Sequence, residues 1–293
     1  SNDKRSFYNF YAETGTLEAY GAPTGAWAGN RGVFGGGYAD SNVIDYVAIA
    51  TLGNATDFGD LTQGREAMGC ASSGSRAIWG GGYLNSPGSR SNVIDYVTIG
   101  SAGNATDFGD LTQARNGVKA VSNGTRGVFG GGYIHPQGVQ NTMDYVTIGS
   151  TGNATDFGDL SQAREGLAAS SGETRGIFAG GNNPVRDTMD YITIASTGNA
   201  TDFGDLQTAR MDLAGVEDTT RAVFGGGRTP SVQDIIGYVT VASTGNATDF
   251  GDLAVGRYAM GSCANSTRGL YAGGYDGSDY NRIDYLTIQT TGN

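Results

Sequence analysis

Eleven of the 18 basic residues in this 293-residue chain are arginines that return at fixed places. One set is Arg65, Arg115, Arg164, Arg210 and Arg257. The other is Arg31, Arg76, Arg126, Arg175, Arg221 and Arg268. A ring of arginines could hold an anionic ligand. It could equally pair with carboxylates, because a planar guanidinium meets a carboxylate through two parallel hydrogen bonds. Three repeated aspartate sets are available for that pairing: Asp45, Asp95, Asp144, Asp190 and Asp284; Asp57, Asp107, Asp156, Asp202 and Asp249; Asp60, Asp110, Asp159, Asp205 and Asp252. They account for 15 of the 29 acidic residues. A residue written into every repeat serves what every repeat needs, so the arginines are expected to be structural.

Other chemistry is scarce. The recurring N-A-T-D-F-G-D places Asn, Thr and two Asp within seven residues, which raises calcium. Calcium wants six to eight converging oxygens, and the alternating ligand spacing of known loops is missing. A turn in which Asn and Asp bond their own backbone is simpler. The single histidine, His135, stands beside Pro136, so neither a histidine-rich zinc site nor a second Ser-His-Asp arrangement can be assembled. Cys70 and Cys263 fall on separate small-residue segments and read as buried residues. No metal and no cofactor are expected. Carboxylate pairs for glycoside chemistry would have to come from acids that break the repeat, namely Glu66, Glu165, Asp212, Glu217, Asp218, Asp234, Asp276 and Asp279.

The elements that must position these residues repeat six times. R-G-V-F-G-G-G-Y at 31–38 returns at 76–83, 126–133, 175–182, 221–228 and 268–275. N-V-I-D-Y-V at 42–47 also has six copies, and G-N-A-T-D-F-G-D-L has five. Periods of 45–50 residues fit a propeller or a helical array. The segments are short, β-branched and aromatic, separated by Gly, Asn and Ser, with no sustained helical period. Each unit therefore predicts four antiparallel strands: a small-residue inner strand such as 117–124, then R-G-V-F-G-G-G, then N-V-I-D-Y-V-T-I, then A-T-D-F-G-D-L. The fold class is all-β, a six-bladed β-propeller of four-stranded blades. The N-terminal T-G-T-L-E-A-Y-G-A at 14–22, with Tyr20 in the Phe place, is expected to complete the last blade and close the ring. The first inner strand is expected near 25–29. Residues 1–13 form an arm outside a single domain spanning 14–293.

The order diglycine, tyrosine, aromatic, arginine resembles the kelch repeat, here at Gly131–Gly132, Tyr145, Phe157 and Arg164. The resemblance covers about residues 14–293 and implies the same propeller; Phe stands where kelch repeats carry Trp. The segment G-N-A-T-D-F-G-D-L-T-Q-A-R is also similar to repeats of bacteriophage tail and virion proteins. That likeness implies a virion or tail-fibre component.

Composition removes other classes. A net charge of −11 argues against a nucleic-acid partner. No run of 18 apolar residues would span a membrane, and the opening S-N-D-K-R-S-F-Y-N-F lacks the apolar core of a signal peptide. Variation is concentrated in the loop after the diglycine, which shares a face with the loop joining one blade to the next. Insertions on one face of a repeat array mark a binding face. That loop supplies the expected contact residues Tyr38, Tyr83, His135, Arg186, Arg228, Tyr275 and Tyr280. Tyr and Arg bring area and hydrogen bonding at small entropic cost. The sequence thus predicts a non-catalytic binding or structural module. Its partners would be other virion proteins or a host cell-surface glycan or protein, and its place virion or extracellular. An intracellular kelch-type adaptor in the cytoplasm and a glycan-active enzyme are the alternatives.

Overall fold

The computed structural model describes residues 30–292 together with the two-residue strand Glu13–Thr14. Six antiparallel sheets follow one another and close into a ring, a six-bladed β-propeller. The third blade shows the pattern. Lys119–Ser122 is innermost, followed by Arg126–Gly130, Thr142–Thr147 and the outermost Thr155–Asp159. Sequence order is spatial order, so every pairing is a hairpin. Small residues line the inner strands because neighbouring blades converge there. Ser122 Oγ donates to Ser72 O across the axis wall at 2.6 Å. Among the described residues there is no helix.

The core lies between blades rather than within them. Val121, Val128, Phe157, Leu160, Phe178 and Ile192 are all buried in one cluster spanning the third and fourth blades. Phe34, Val47, Ile49, Cys263 and Leu270 make the corresponding cluster where the sixth blade meets the first. Both cysteines are buried thiols, as their neighbours suggest. Cys263 Sγ fills the space beside Gly32.

The second arginine set ties the blades together. Each guanidinium lies 4.1–4.5 Å from the ring centre of its blade's tyrosine. From there it donates to a carbonyl of the next blade, Arg126 to Ile194 O at 3.1 Å for example. Arg268 donates to Ile49 O at 3.1 Å and so closes the ring. The first set is fully buried. Arg65, Arg115 and Arg164 pair with Asp95, Asp144 and Asp190 at 3.0, 2.8 and 3.0 Å, with both partners sealed from solvent. Arg257 pairs with Asp284 at 3.0 Å. Each also donates to the carbonyl of the blade's second-strand aromatic, as Arg164 does to Phe178 O at 3.2 Å. The structural reading of the arginines therefore holds.

The diglycine belongs to the same joint. A Cβ on Gly131, whose φ is +69°, would stand 2.6 Å from Arg164 O, and Gly132 N–H donates to that carbonyl at 2.9 Å. Only glycine lets the second strand close on the loop that starts the next blade. The N-A-T-D-F-G-D segment is a stitch. Asp60 N–H donates to Asn104 Oδ1 at 3.1 Å, and Gly103 N–H donates to Phe58 O at 2.7 Å, blade to blade.

The first blade differs from expectation at its inner position. The inner position of the first blade is held by Glu13–Thr14, with Glu13 opposite Gly35 and Thr14 opposite Phe34. Its place between the inner strands of the second and sixth blades makes it part of the ring, so the arm expected at 1–13 gives up Glu13. The reason is a backbone edge at Phe34–Gly35 that needs a hydrogen-bonding partner wherever the chain can supply one. The inner strand expected near 25–29 lies outside the described residues. So does most of the segment 14–22, expected as the closing strand. The sixth blade has three described strands, Gly261–Ala264, Arg268–Ala272 and Ile283–Thr287.

Candidate functional site

Each buried arginine is followed by one variable residue: Glu66, Asn116, Glu165, Met211, Tyr258. Each of these makes an isolated antiparallel bridge to the residue just after the diglycine. The pairs are Glu66 with Tyr83, Asn116 with Tyr133, Glu165 with Asn182, Met211 with Arg228, and Tyr258 with Tyr275. The bridges bring the two loop types together on one face, as the alternation of strand direction requires. Glu66, Asn116, Glu165 and Met211 of one column and Asn182 and Arg228 of the other line a common basin.

The next residue in each loop turns the chain. Ala67, Gly117, Gly166, Asp212 and Ala259 all have φ between +52° and +66°. Their backbones form a collar around the axis: Gly117 N–H donates to Ala67 O at 2.8 Å, Asp212 N–H to Gly166 O at 2.6 Å, and Ala259 N–H to Asp212 O at 2.8 Å. Within and above the collar lies a basin of about 290 Å³, lined from five successive blades. Its polar groups are Glu66, Asn116, Lys119, Glu165, Asn182, Asp212 and Arg228. Beneath it the axis narrows to about 10 Å³ among Cys70, Ala120, Ala169 and Gly215.

The basin mixes both charge signs. Arg228 Nε meets Asp212 Oδ2 at 2.9 Å and its guanidinium covers the Tyr258 ring at 4.5 Å. Tyr258 and Tyr275 meet edge to face at 5.6 Å. Arg90 sits between the rings of Tyr83 and Tyr133, at 5.2 and 5.0 Å, and donates to Asn116 Oδ1 at 3.1 Å. Burial raises the Glu66 and Glu165 carboxyls above the usual carboxylate range. For Glu165 the neighbouring Asp212 adds to the rise and Arg90 opposes it. The arrangement offers carboxylates, amides and cations to hydroxyl groups, rimmed by tyrosine rings.

The expected contact residues separate into three groups. Tyr83, Arg228 and Tyr275 stand in the bridged column, and Arg228 lines the basin itself. Tyr38 is 46% exposed in the first blade's turn, beside Asp40, whose carboxylate accepts the Asn85 and Ser86 N–H groups. His135 is exposed at the turn of the small hairpin Tyr133–Ile134 and Gly138–Val139, outside the basin lining. Arg186 and Tyr280 come at the end of their loops and do not line the basin. Arg186 N–H donates to Gly181 O, and Tyr280 Oη donates to Asp276 at 2.7 Å below the Arg257 guanidinium. The column Glu66, Asn116, Glu165, Met211, Tyr258, together with Lys119, was not among the expected contacts. Its signal was variation inside an otherwise constant loop.

No protein-family model matches the chain, and no curated protein matches it. Solved structures match it in number, 634 chains in all, so the fold by itself selects no activity. One is the structure of YjhT, which aligns over 96% of this chain and 95% of its own with a TM-score of 0.76. The sequences are 11% identical. The likeness is one of fold.

Proposed function

We propose that the protein is a non-catalytic binding module that takes a cell-surface saccharide in the axial basin, as a component of a virion or tail fibre. The observation that carries this reading is the meeting of residues from two variable columns, joined by five backbone bridges, in a polar basin whose Arg228 and neighbouring Arg90 lie on tyrosine rings. Sugar hydroxyls need paired donors and acceptors, and sugar faces pack on aromatic rings; the basin supplies both. The volume suits one or two sugar rings, with the outer loops left for neighbouring units. The likeness of G-N-A-T-D-F-G-D-L-T-Q-A-R to tail-protein repeats supports the virion setting. A glycan array with the purified protein tests it. Saturable binding to a defined glycan family, lost in Arg228→Ala with Tyr275→Ala, is the expected result; no binding to any glycan overturns the saccharide reading.

A second reading has its own observation. Glu66 and Glu165 are acids with raised proton affinity in one basin, as a general acid needs. Hydrolysis of an oligosaccharide by the protein, abolished in Glu165→Gln, would establish the glycan-active enzyme in place of the binder.

A further inference from the structure

Two arginines at the mouth fix what the basin's polar groups can still do. Arg90 Nε donates to Asn116 Oδ1 at 3.1 Å. A guanidinium only donates, so the oxygen of that amide must face Arg90. The Asn116 Nδ2 is then a donor with no partner among the described residues. Arg228 Nε takes Asp212 Oδ2 at 2.9 Å in the same way and leaves Asp212 Oδ1 as an acceptor.

Glu165 comes from the blade between these two. Its Oε1 lies 3.5 Å from Asn183 Nδ2. Its Oε2 leans over Gly117, 3.3 Å from where a Cβ there would stand, and Asp212 Oδ1 leans over Gly166 at 2.7 Å. The matching turn positions in the second and sixth blades are Ala67 and Ala259. Glycine thus stands in this turn only where the next blade's carboxylate needs the room. Three consecutive blades present a donor and two acceptors: Asn116 Nδ2, Glu165 Oε2 and Asp212 Oδ1. Beside this row the basin lining turns apolar, through Met211, Leu213, Ala259 and Met260.

A sugar carrying hydroxyls alone meets the polar row and leaves the apolar lining unmet. A free amino sugar suits the carboxylates but brings no carbonyl for Asn116. An N-acetylated amino sugar answers all three. Its carbonyl accepts Asn116 Nδ2–H, its amide N–H donates to Glu165, a ring hydroxyl donates to Asp212 Oδ1, and its methyl group packs on the thioethers and Leu213. Resting on the saccharide reading above, we propose that the basin selects 2-acetamido sugars. Asn116 is the residue that sets this preference, and Arg90 is a positioning residue that holds the amide with its donor turned inward.

The test uses the whole protein and matched sugars. Oligomers of N-acetylglucosamine are compared with their N-deacetylated and glucose counterparts, and N-acetylgalactosamine glycosides with galactosides, by titration calorimetry and on the glycan array. The acetamido member of a bound pair should bind about tenfold tighter or more. In saturation-transfer NMR its acetyl methyl should take up the strongest signal. Asn116→Asp keeps the shape, and a partner for Arg90, but removes the donor; it should bring the ratio close to one with an unchanged Tm. Arg90→Ala should lower the ratio by freeing the amide to turn. A ratio near one in the parent protein, or a ratio that survives both variants, overturns the proposal. So does an array on which the protein binds only glycans without an acetamido group, which leaves the saccharide reading standing. An array with no bound glycan overturns both.

Discussion

The column Arg65, Arg115, Arg164, Arg210, Arg257 and the column one residue later, Glu66, Asn116, Glu165, Met211, Tyr258, are neighbours along the chain and opposites in setting. The arginines are sealed from solvent, and four of the five meet an aspartate in the next strand layer. Of the residues after them, Glu66, Asn116, Glu165 and Met211 line an open basin, and the column holds four residue types in five places. A position repeated in every blade answers to the ring; a position that varies among blades answers to whatever the face meets.

The fifth blade sharpens the contrast. There Gly237 replaces the aspartate, and Arg210 donates only to carbonyls, those of Ile235, Gly226 and Phe224 at 2.6, 3.1 and 3.2 Å. Burial without a carboxylate pushes its guanidinium down to about 10. Gln207 has moved into the vacated room, its Oε1 2.1 Å from where a Gly237 Cβ would stand.

The largest effect should come from breaking a paired arginine. Arg164→Ala strands Asp190 in a dry joint, at a cost of about 3–5 kcal/mol. For a chain of this size that is a fall in Tm on the order of 10 °C by calorimetry. The same change at Arg210 should cost less, since no carboxylate is orphaned. A smaller shift of opposite sign should follow from repairing the fifth blade. Gly237→Asp with Gln207→Thr rebuilds the Arg–Asp–Thr contact of the second and third blades and should stabilise by about 1.5–3 kcal/mol in denaturant melts. Gly237→Asp alone should gain less, because Gln207 stands in the way.

The ring was legible in the sequence because its rules are local. Phe157, Tyr145, Gly131 and Arg164 each keep a fixed distance along the chain from the partner they touch. The face was half legible. Loop variation pointed to Tyr83, Arg228 and Tyr275, but only the bridges show that their partners are the residues after the buried arginines. His135 and Arg186 vary equally and do not line the basin, so variation alone does not locate a site. Glu165 and Asp212 were visible as acids that break the repeat; their meeting in one basin depends on the ring closing around them. Glu13–Thr14 was not read as an inner strand because it carries no blade signature and is held by the edge it covers.

Changes at the mouth should leave the ring almost untouched. Tyr83→Ala, Tyr275→Ala and Arg228→Ala should each shift stability by less than about 1 kcal/mol, since these residues are partly exposed and the Arg228–Asp212 pair is solvent-screened. The smallest expected effect concerns pH. Glu165 binds a proton more readily folded than unfolded, so its contribution to stability falls as pH rises through its raised pKa. Glu165→Gln should remove that slope from melts recorded across the weakly acidic range. Glycan binding to the ionised carboxylate should show the reverse, weakening as pH falls through the same range.

The separation of ring from face is tested most directly by one paired measurement on Glu165→Gln with Arg228→Ala, calorimetric Tm alongside affinity for the glycan identified on the array. Affinity should fall at least tenfold with Tm within about 2–4 °C of the parent protein. Unchanged affinity, or a Tm loss as large as that of Arg164→Ala, would contradict it.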